Sequence, residues 1–158
     1  MGGFGSGSWY RWDRKDTQEE YRRLDIRYMR KQGTLSPGKS GILSWSYADG
    51  TENGKIGWRV DTEYLILDYS ANGEPIKEHI YLDKTPCNYG GVRHWFKCPC
   101  CYSRVAVLTM YGERFICRHC HKLPYGSQNE GRIDRYMRKT RKIRNKLGAS
   151  MDLTESVW

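Results

Sequence analysis

Two cysteine pairs constrain this chain more than any other feature. Cys98-Pro99-Cys100-Cys101 and Cys117-Arg118-His119-Cys120 are C-x-x-C turns separated by fifteen residues. Such a turn brings two thiolates to one ion, and two turns on adjacent hairpin tips complete a tetrahedral four-sulfur shell at Zn–S of about 2.3 Å. The spacer fits a hairpin, with Val105 to Leu108 as one strand, Tyr111-Gly112-Glu113 as the turn and Arg114-Phe115-Ile116 as the return. This is zinc-ribbon spacing. The expected ligands are Cys98, Cys101, Cys117 and Cys120 around one structural zinc ion. Cys100 is a middle residue of its turn and is expected to point away, leaving His119 and His121 as the other alternative donors. Cys87 has no partner in the pattern and is expected as a buried free thiol.

Other chemistries use cysteines at this spacing. Structural disulfides need an oxidising compartment, and no apolar leader segment opens the chain. A redox C-x-x-C needs a βαβ setting that the pattern lacks. An iron–sulfur cluster would take the same four ligands, and metal analysis separates the two. Four thiolates leave no coordination position open for water, which points to a structural metal. Its binding would supply folding free energy on the order of 10–16 kcal/mol, to a segment of about 25 residues too short to hold a fold by apolar burial alone.

The rest of the chain divides around this site. Met1 to Ser8 is glycine-rich and is followed by Trp9-Tyr10-Arg11-Trp12, expected either to pack as a tail or to stack on bases. Gly2 and Ser6 fit the loose myristoylation pattern, which glycine- and serine-rich starts match by chance. Residues 16–32 read as a helix: Asp16 or Thr17 caps it, Tyr21, Leu24 and Tyr28 share a face, and Gly33 ends it. From residue 40 the period becomes two. Leu43, Trp45 and Tyr47 alternate, then Ile56, Trp58 and Val60. A third strand covers Tyr64 to Tyr69, and a fourth carries Ile76, Ile80 and Leu82. Asn72-Gly73 is a strong hairpin signal. The expected fold is α+β. An N-terminal helix with a four-stranded antiparallel meander spans 16–92, the four-cysteine ribbon 93–124 and a basic helix 125–148, with tails 1–15 and 149–158.

Charge separates these parts. Residues 40–92 hold four Lys or Arg against eight Asp or Glu, whereas 98–147 hold twelve against Glu113, Glu130 and Asp134. A sign asymmetry of this size points to a polyanion-facing last third within a chain of net charge +9. Ser127 to Glu130 reads as a capping box opening the last helix, and Gly148 as its stop. Ile133, Tyr136, Met137, Thr140, Ile143 and Leu147 form an apolar stripe. Around it lie Arg132, Arg135, Arg138, Lys139, Arg141, Lys142, Arg144 and Lys146. A solvated face or a membrane-surface helix are the alternatives; the stripe lacks the Trp and Phe of the latter. The pentapeptide Arg27-Tyr28-Met29-Arg30-Lys31 recurs as Arg135-Tyr136-Met137-Arg138-Lys139, by chance or as two similar basic faces.

The opening Met-Gly-Gly-Phe-Gly-Ser-Gly, Thr85-Pro-Cys-Asn-Tyr-Gly-Gly91, Trp95-Phe-Lys-Cys-Pro99 and Cys117-Arg-His-Cys-His121, followed by Tyr125-Gly-Ser-Gln128, occur together. In these motifs the chain resembles a family of small bacterial and mobile-element zinc-ribbon proteins. The resemblance implies a zinc ribbon and a bacterial or phage setting and supplies no mechanism. Zinc ribbons usually place Gly after the second cysteine, where this chain has Tyr102, so a less tight turn is expected there.

Three functions compete. The first is a non-enzymatic nucleic-acid-binding protein, DNA rather than RNA, regulatory in a mobile element. Its expected contacts are Arg104, Arg114, Arg118, Lys122, Arg132, Arg135, Arg138, Lys139, Arg141, Lys142 and Arg144. The second is an adaptor or inhibitor docking on a host protein or ribonucleoprotein through Trp45, Tyr47, Trp58 and the basic helix. The third, a nuclease or other hydrolase, is weak: His79 and His94 are isolated, Asp61, Glu63 and Asp68 sit on strands, and the ribbon tip has the single acid Glu113. Aliphatic runs such as Leu65-Ile66-Leu67 are far short of the ~20 residues of a membrane span. A cytoplasmic protein with no membrane partner is expected.

Overall fold

The computed structural model describes residues 15–47 and 49–149. They fall into two compact units, residues 18–123 and a second made of 15–17 with 124–149. The expected tails 1–15 and 149–158 lie outside the described residues apart from Lys15 and Ala149.

The larger unit is built from strands. Nine occur among the described residues, in two antiparallel sheets, with three short helices in the whole described chain. The expectation of an N-terminal helix followed by a four-stranded meander is therefore overturned. A single 3-10 turn, Gln18–Glu20, leads into strand β1, Arg23–Asp25, and helix α1 covers only Ile26–Lys31. The reason is a long-range partner. Leu24 pairs with Leu108, and the flanking amides of Met110 and Ile26 bond the carbonyls of Arg22 and Ala106. Leu24 and Ile26 are both buried, an i, i+2 spacing that suits a strand, and Met29 adds the i, i+3 contact of the short helix. Tyr28, expected on the buried face, is 54% exposed. Helix α1 starts where the Asp25 carboxylate accepts the Arg27 amide at 2.9 Å. It ends in a Schellman motif, with Gly33 at φ 65° and the Thr34 amide on the Met29 carbonyl.

The larger sheet runs in sequence order through β2 (Ser40–Ser46), β3 (Glu52–Val60), β4 (Tyr64–Ala71), β5 (Glu74–Pro86), β6 (Val92–Lys97) and β7 (Arg104–Val105). Six strands form because β5 is long enough to change neighbours. Its residues 74–81 pair with β4, and its residues 82–86 pair with β6. The β4–β5 turn is Asn72-Gly73 with φ of 53° and 86°, the two positive values a type I′ hairpin requires. The smaller sheet joins β1 to the hairpin of β8 (Val107–Tyr111) and β9 (Arg114–Ile116).

Phe115 of β9 holds the two sheets together. It is fully buried, stacks on Trp45 of β2 at 6.2 Å and meets Tyr69 of β4 edge-on at 5.8 Å. Full burial of a side chain of this size contributes about 1.5–3 kcal/mol. Beside it Glu78 of β5 is 7% exposed and accepts the Phe115 amide at 3.1 Å and the Tyr69 hydroxyl at 2.9 Å. Burial raises its carboxyl above the ordinary value, against the pull of these bonds and of Arg114. Trp45 also donates its indole N–H to the Arg23 carbonyl, and Trp58 lies against Gly41, where a Cβ would meet its ring at 2.8 Å. Both tryptophans proposed as docking anchors thus pack against their own chain.

In the smaller unit, α2 (Gly126–Asn129) and α3 (Arg132–Lys146) are separate helices. The single helix expected from residue 127 is interrupted at Glu130, whose backbone is extended, and Gly131 caps a new start by donating its amide to Asp134 at 3.1 Å. Gly148, at φ 67°, closes α3 in a second Schellman motif, the Ala149 amide bonding the Arg144 carbonyl.

Candidate functional site

The two cysteine turns are carried by different sheets. Cys98 and Cys101 lie between β6 and β7, whereas Cys117 and Cys120 follow β9. Each turn is closed by its own backbone. The Tyr102 amide bonds the Cys98 carbonyl at 2.8 Å, and the His121 amide bonds the Cys117 carbonyl at 3.0 Å. Both turns are tight, and Tyr102 takes the place of the usual glycine by adopting φ 57° itself; Lys122 does the same after the second turn. The looser turn expected from Tyr102 is not what forms. A left-handed non-glycine residue costs on the order of 1–3 kcal/mol, an expense maintained here at both knuckles.

The folding of the two turns brings the four sulfurs Cys98, Cys101, Cys117 and Cys120 within 4.8 Å of one another. The Cys101 and Cys117 sulfurs are 3.7 Å apart. A tetrahedron with metal–sulfur bonds of about 2.3 Å has sulfur–sulfur edges of about 3.8 Å, so this distance fits one shared ion. The four cysteines could therefore hold a metal ion, and they are the metal-ligand cluster found among the described residues. Cys98 and Cys117 are buried and Cys101 is exposed, so the cluster has one solvent-facing edge. The Cys98 sulfur also accepts the Cys117 amide at 3.3 Å, the type of bond that stabilises a thiolate ligand. Hydrogen bonds from the Ser103 hydroxyl and amide draw the Cys101 thiol down to about 6, while burial and the neighbouring sulfurs push Cys117 and Cys120 up. Four sulfurs this close repel as thiolates until a cation compensates them, so metal uptake releases protons.

The alternative donors are placed elsewhere. Cys100 is exposed and outside the cluster. His121 sits between the rings of Tyr21 and Tyr111, at 4.5 and 4.3 Å, with its Nδ1 at 3.3 Å from the Thr109 hydroxyl. Cys87, expected to be buried, is half-buried in the β5–β6 turn. Glu113 at the ribbon tip accepts from the Asn72 side chain at 2.8 Å.

The expected nucleic-acid contacts separate into several groups. On α3, Arg132, Arg135, Lys139, Arg141 and Lys142 are exposed. Arg138 is exposed too, and its Nε contacts both Glu130 carboxylate oxygens at 2.7 and 2.9 Å. Arg144 is buried at 5% exposure. In the larger unit Arg104 pairs with Asp83 at 2.6 Å, Arg114 lies 3.8 Å from Glu78, and Arg118 and Lys122 belong to the second cysteine turn. The apolar stripe of α3 is open to solvent as well, from Ile133 at 75% to Leu147 at 65%. No helix of the described residues is long and apolar enough to cross a membrane.

Sequence reasoning missed a cleft of about 610 Å³ between α1 and β6, lined by Ile26, Arg27, Arg30, Lys31, Arg93, His94, Trp95 and Ala106. The one available signal was the pentapeptide shared by α1 and α3: in both copies the two arginines and the lysine are exposed.

No protein-family model, no curated protein and no solved structure matches the chain.

Proposed function

We propose that this chain is a non-enzymatic nucleic-acid-binding protein whose two sheets are fastened by one structural zinc ion on Cys98, Cys101, Cys117 and Cys120. The observation that carries the binding reading is α3: its six exposed expected contacts, Arg132, Arg135, Arg138, Lys139, Arg141 and Lys142, stand on one helix with a single acid, Asp134, in its first turn. Asp134 is spent on the Gly131 amide. A rod of fifteen residues is about 22 Å long, enough to follow a phosphate backbone or enter the major groove of duplex DNA. Zinc is the reading for the ion because a closed four-thiolate shell is the commonest use of this ligand set.

The test is binding of a labelled DNA duplex across a range of salt. Each phosphate contact adds about 0.9 to the slope of log affinity against log salt. Charge reversal at Arg135, Lys139, Arg141 and Lys142 is expected to abolish most of the affinity and flatten the slope. Duplex binding that survives those changes overturns the reading.

The solvent-open stripe of Ile133, Tyr136, Ile143 and Leu147 supports a second reading, in which α3 docks on a protein partner. A single stoichiometric partner retained after nuclease treatment, and lost on Ile133→Glu with Ile143→Glu, would favour it.

A further inference from the structure

The cleft between α1 and β6 is not needed by the metal cluster and lies in the larger unit, away in sequence from α3. Its composition is one-sided. Arg27, Arg30, Lys31 and Arg93 line it, and among the described residues no Asp or Glu does. Arg27 is engaged by Asp25 at 2.7 Å, which leaves Arg30, Lys31 and Arg93 as exposed cations at the rim. Its apolar lining is Ile26, Ala106 and Trp95. Trp95 is fixed in place: its indole N–H donates to the Thr85 hydroxyl at 2.9 Å, and the Arg93 guanidinium lies 5.5 Å from its ring centre. His94 also lines the cleft, and its buried Nδ1 has no hydrogen-bond partner among the described residues. Burial, with Lys84 and Arg30 nearby, favours the uncharged ring, whose two nitrogens offer one donor and one acceptor.

A flat, pre-oriented aromatic and guanidinium surface beside two further cations, Arg30 and Lys31, is complementary to a base attached to a phosphate. Bases stack on tryptophan rings and on arginine planes alike. The volume is within the range of about 300–1,000 Å³ of small-ligand sites. A second aromatic extends the surface. Tyr89 is fully exposed at the tip of the β5–β6 turn, and residues 85–89 share a neighbouring depression with Arg93. The turn is fixed by Gly90 and Gly91 at φ 85° and 78° and by the Cys87 amide on the Gly91 carbonyl. None of the described residues covers Tyr89, and a second stacking position next to the first suits a chain of nucleotides.

We propose that the α1–β6 cleft binds a nucleotide unit, its base on the Arg93–Trp95 stack and its phosphate held by Arg30 and Lys31, with Tyr89 taking the adjoining base of a single strand. The same chemistry occurs in a free mononucleotide and in a single-stranded nucleic acid, and the test separates them.

The full-length, metal-loaded protein is titrated into a short fluorescein-labelled oligothymidylate at low salt, with AMP as competitor and a DNA duplex as comparison. The charge variant Arg30→Glu, Lys31→Glu, Arg93→Ser changes exposed positions only. It is expected to weaken the oligothymidylate by about tenfold or more, the scale of losing one stacked, phosphate-anchored base, and to leave duplex binding within about twofold. The α3 reversal is expected to do the opposite. In a single strand carrying 5-iodouracil, light-induced crosslinks are expected at Trp95 or Tyr89. Competition by AMP assigns the cleft to a nucleotide of either source; strand binding untouched by AMP assigns it to the polymer. A cleft variant that binds oligothymidylate as tightly as the parent, or a parent that binds neither probe, overturns the proposal. Duplex binding insensitive to the α3 reversal overturns the α3 reading alone.

Discussion

The Cys117 amide donates to the Cys98 sulfur across 3.3 Å, and these two residues follow strands of different sheets. Cys98 follows β6 of the six-stranded sheet, and Cys117 follows β9 of the three-stranded one. An ion bound by both turns would close the molecule at one end of the inter-sheet core, as Phe115 and Glu78 close it in the middle. Substituting the buried Cys98 or Cys117 by Ser is therefore expected to unfold the larger unit, a loss drawn from the ~10–16 kcal/mol a structural zinc supplies. Loss of near-ultraviolet circular dichroism in Cys117→Ser, with retention in Cys87→Ser and Cys100→Ser, is the expected pattern.

Tyr102 and Lys122 are left-handed at φ 57° beside the knuckles. Tyr102 is 67% exposed, so its ring contributes little packing. Tyr102→Gly removes the conformational cost and pays part of it back as unfolded-chain entropy. The expected net gain is about 0.5–1 kcal/mol in urea unfolding of the metal-loaded protein. A loss of stability would show that the ring has a packing role.

Burial holds the Glu78 carboxyl above its ordinary 4.5, outweighing the Phe115 amide, the Tyr69 hydroxyl and Arg114. The folded chain then binds this proton more tightly than the unfolded chain. The contribution of Glu78 is most favourable at low pH, falls as pH rises from 4.5 through the folded value, and stays low above it. Glu78→Gln keeps an acceptor for both donors without the charge. It is expected to equal or exceed the parent in stability at about pH 8 and to flatten the decline from about pH 5. Glu78→Ala strands the Phe115 amide and is expected to cost about 1–3 kcal/mol. Urea unfolding across this range decides between them.

Tyr69 donates its hydroxyl within reach of both the Glu78 carboxylate, at 2.9 Å, and the Glu113 carbonyl, at 2.8 Å. Tyr69→Phe leaves the ring against Phe115 and removes only these bonds. A loss of about 1–2 kcal/mol in thermal or urea unfolding is expected, with metal content unchanged.

Local signals were legible and long-range ones were not. The two cysteine turns, the Asn72-Gly73 turn and the stops at Gly33 and Gly148 are set by a few neighbouring residues, and each is found where the spacing put it, the four cysteines close enough together to hold a metal ion. The helix expected over 16–32 is not, because Leu24 is claimed by Leu108 of β8, a partner no local period reveals. The six-stranded sheet departs from the four strands expected because β5 switches from β4 to β6 within one continuous strand. Glu78, one of the eight acids counted over residues 40–92, is buried between the sheets, which a charge count does not reveal. The α1–β6 cleft is assembled from three separate segments, residues 26–31, 93–95 and 106, and has only the shared pentapeptide to announce it.

Native mass spectrometry of the untreated protein, before and after mild acid, tests the central claim most directly. One zinc per chain is expected, with Cys98, Cys101, Cys117 and Cys120 shielded from alkylation until the metal is released. A metal-free chain with those cysteines joined as disulfides, or zinc retained after Cys98 and Cys117 are both replaced by Ser, would contradict it.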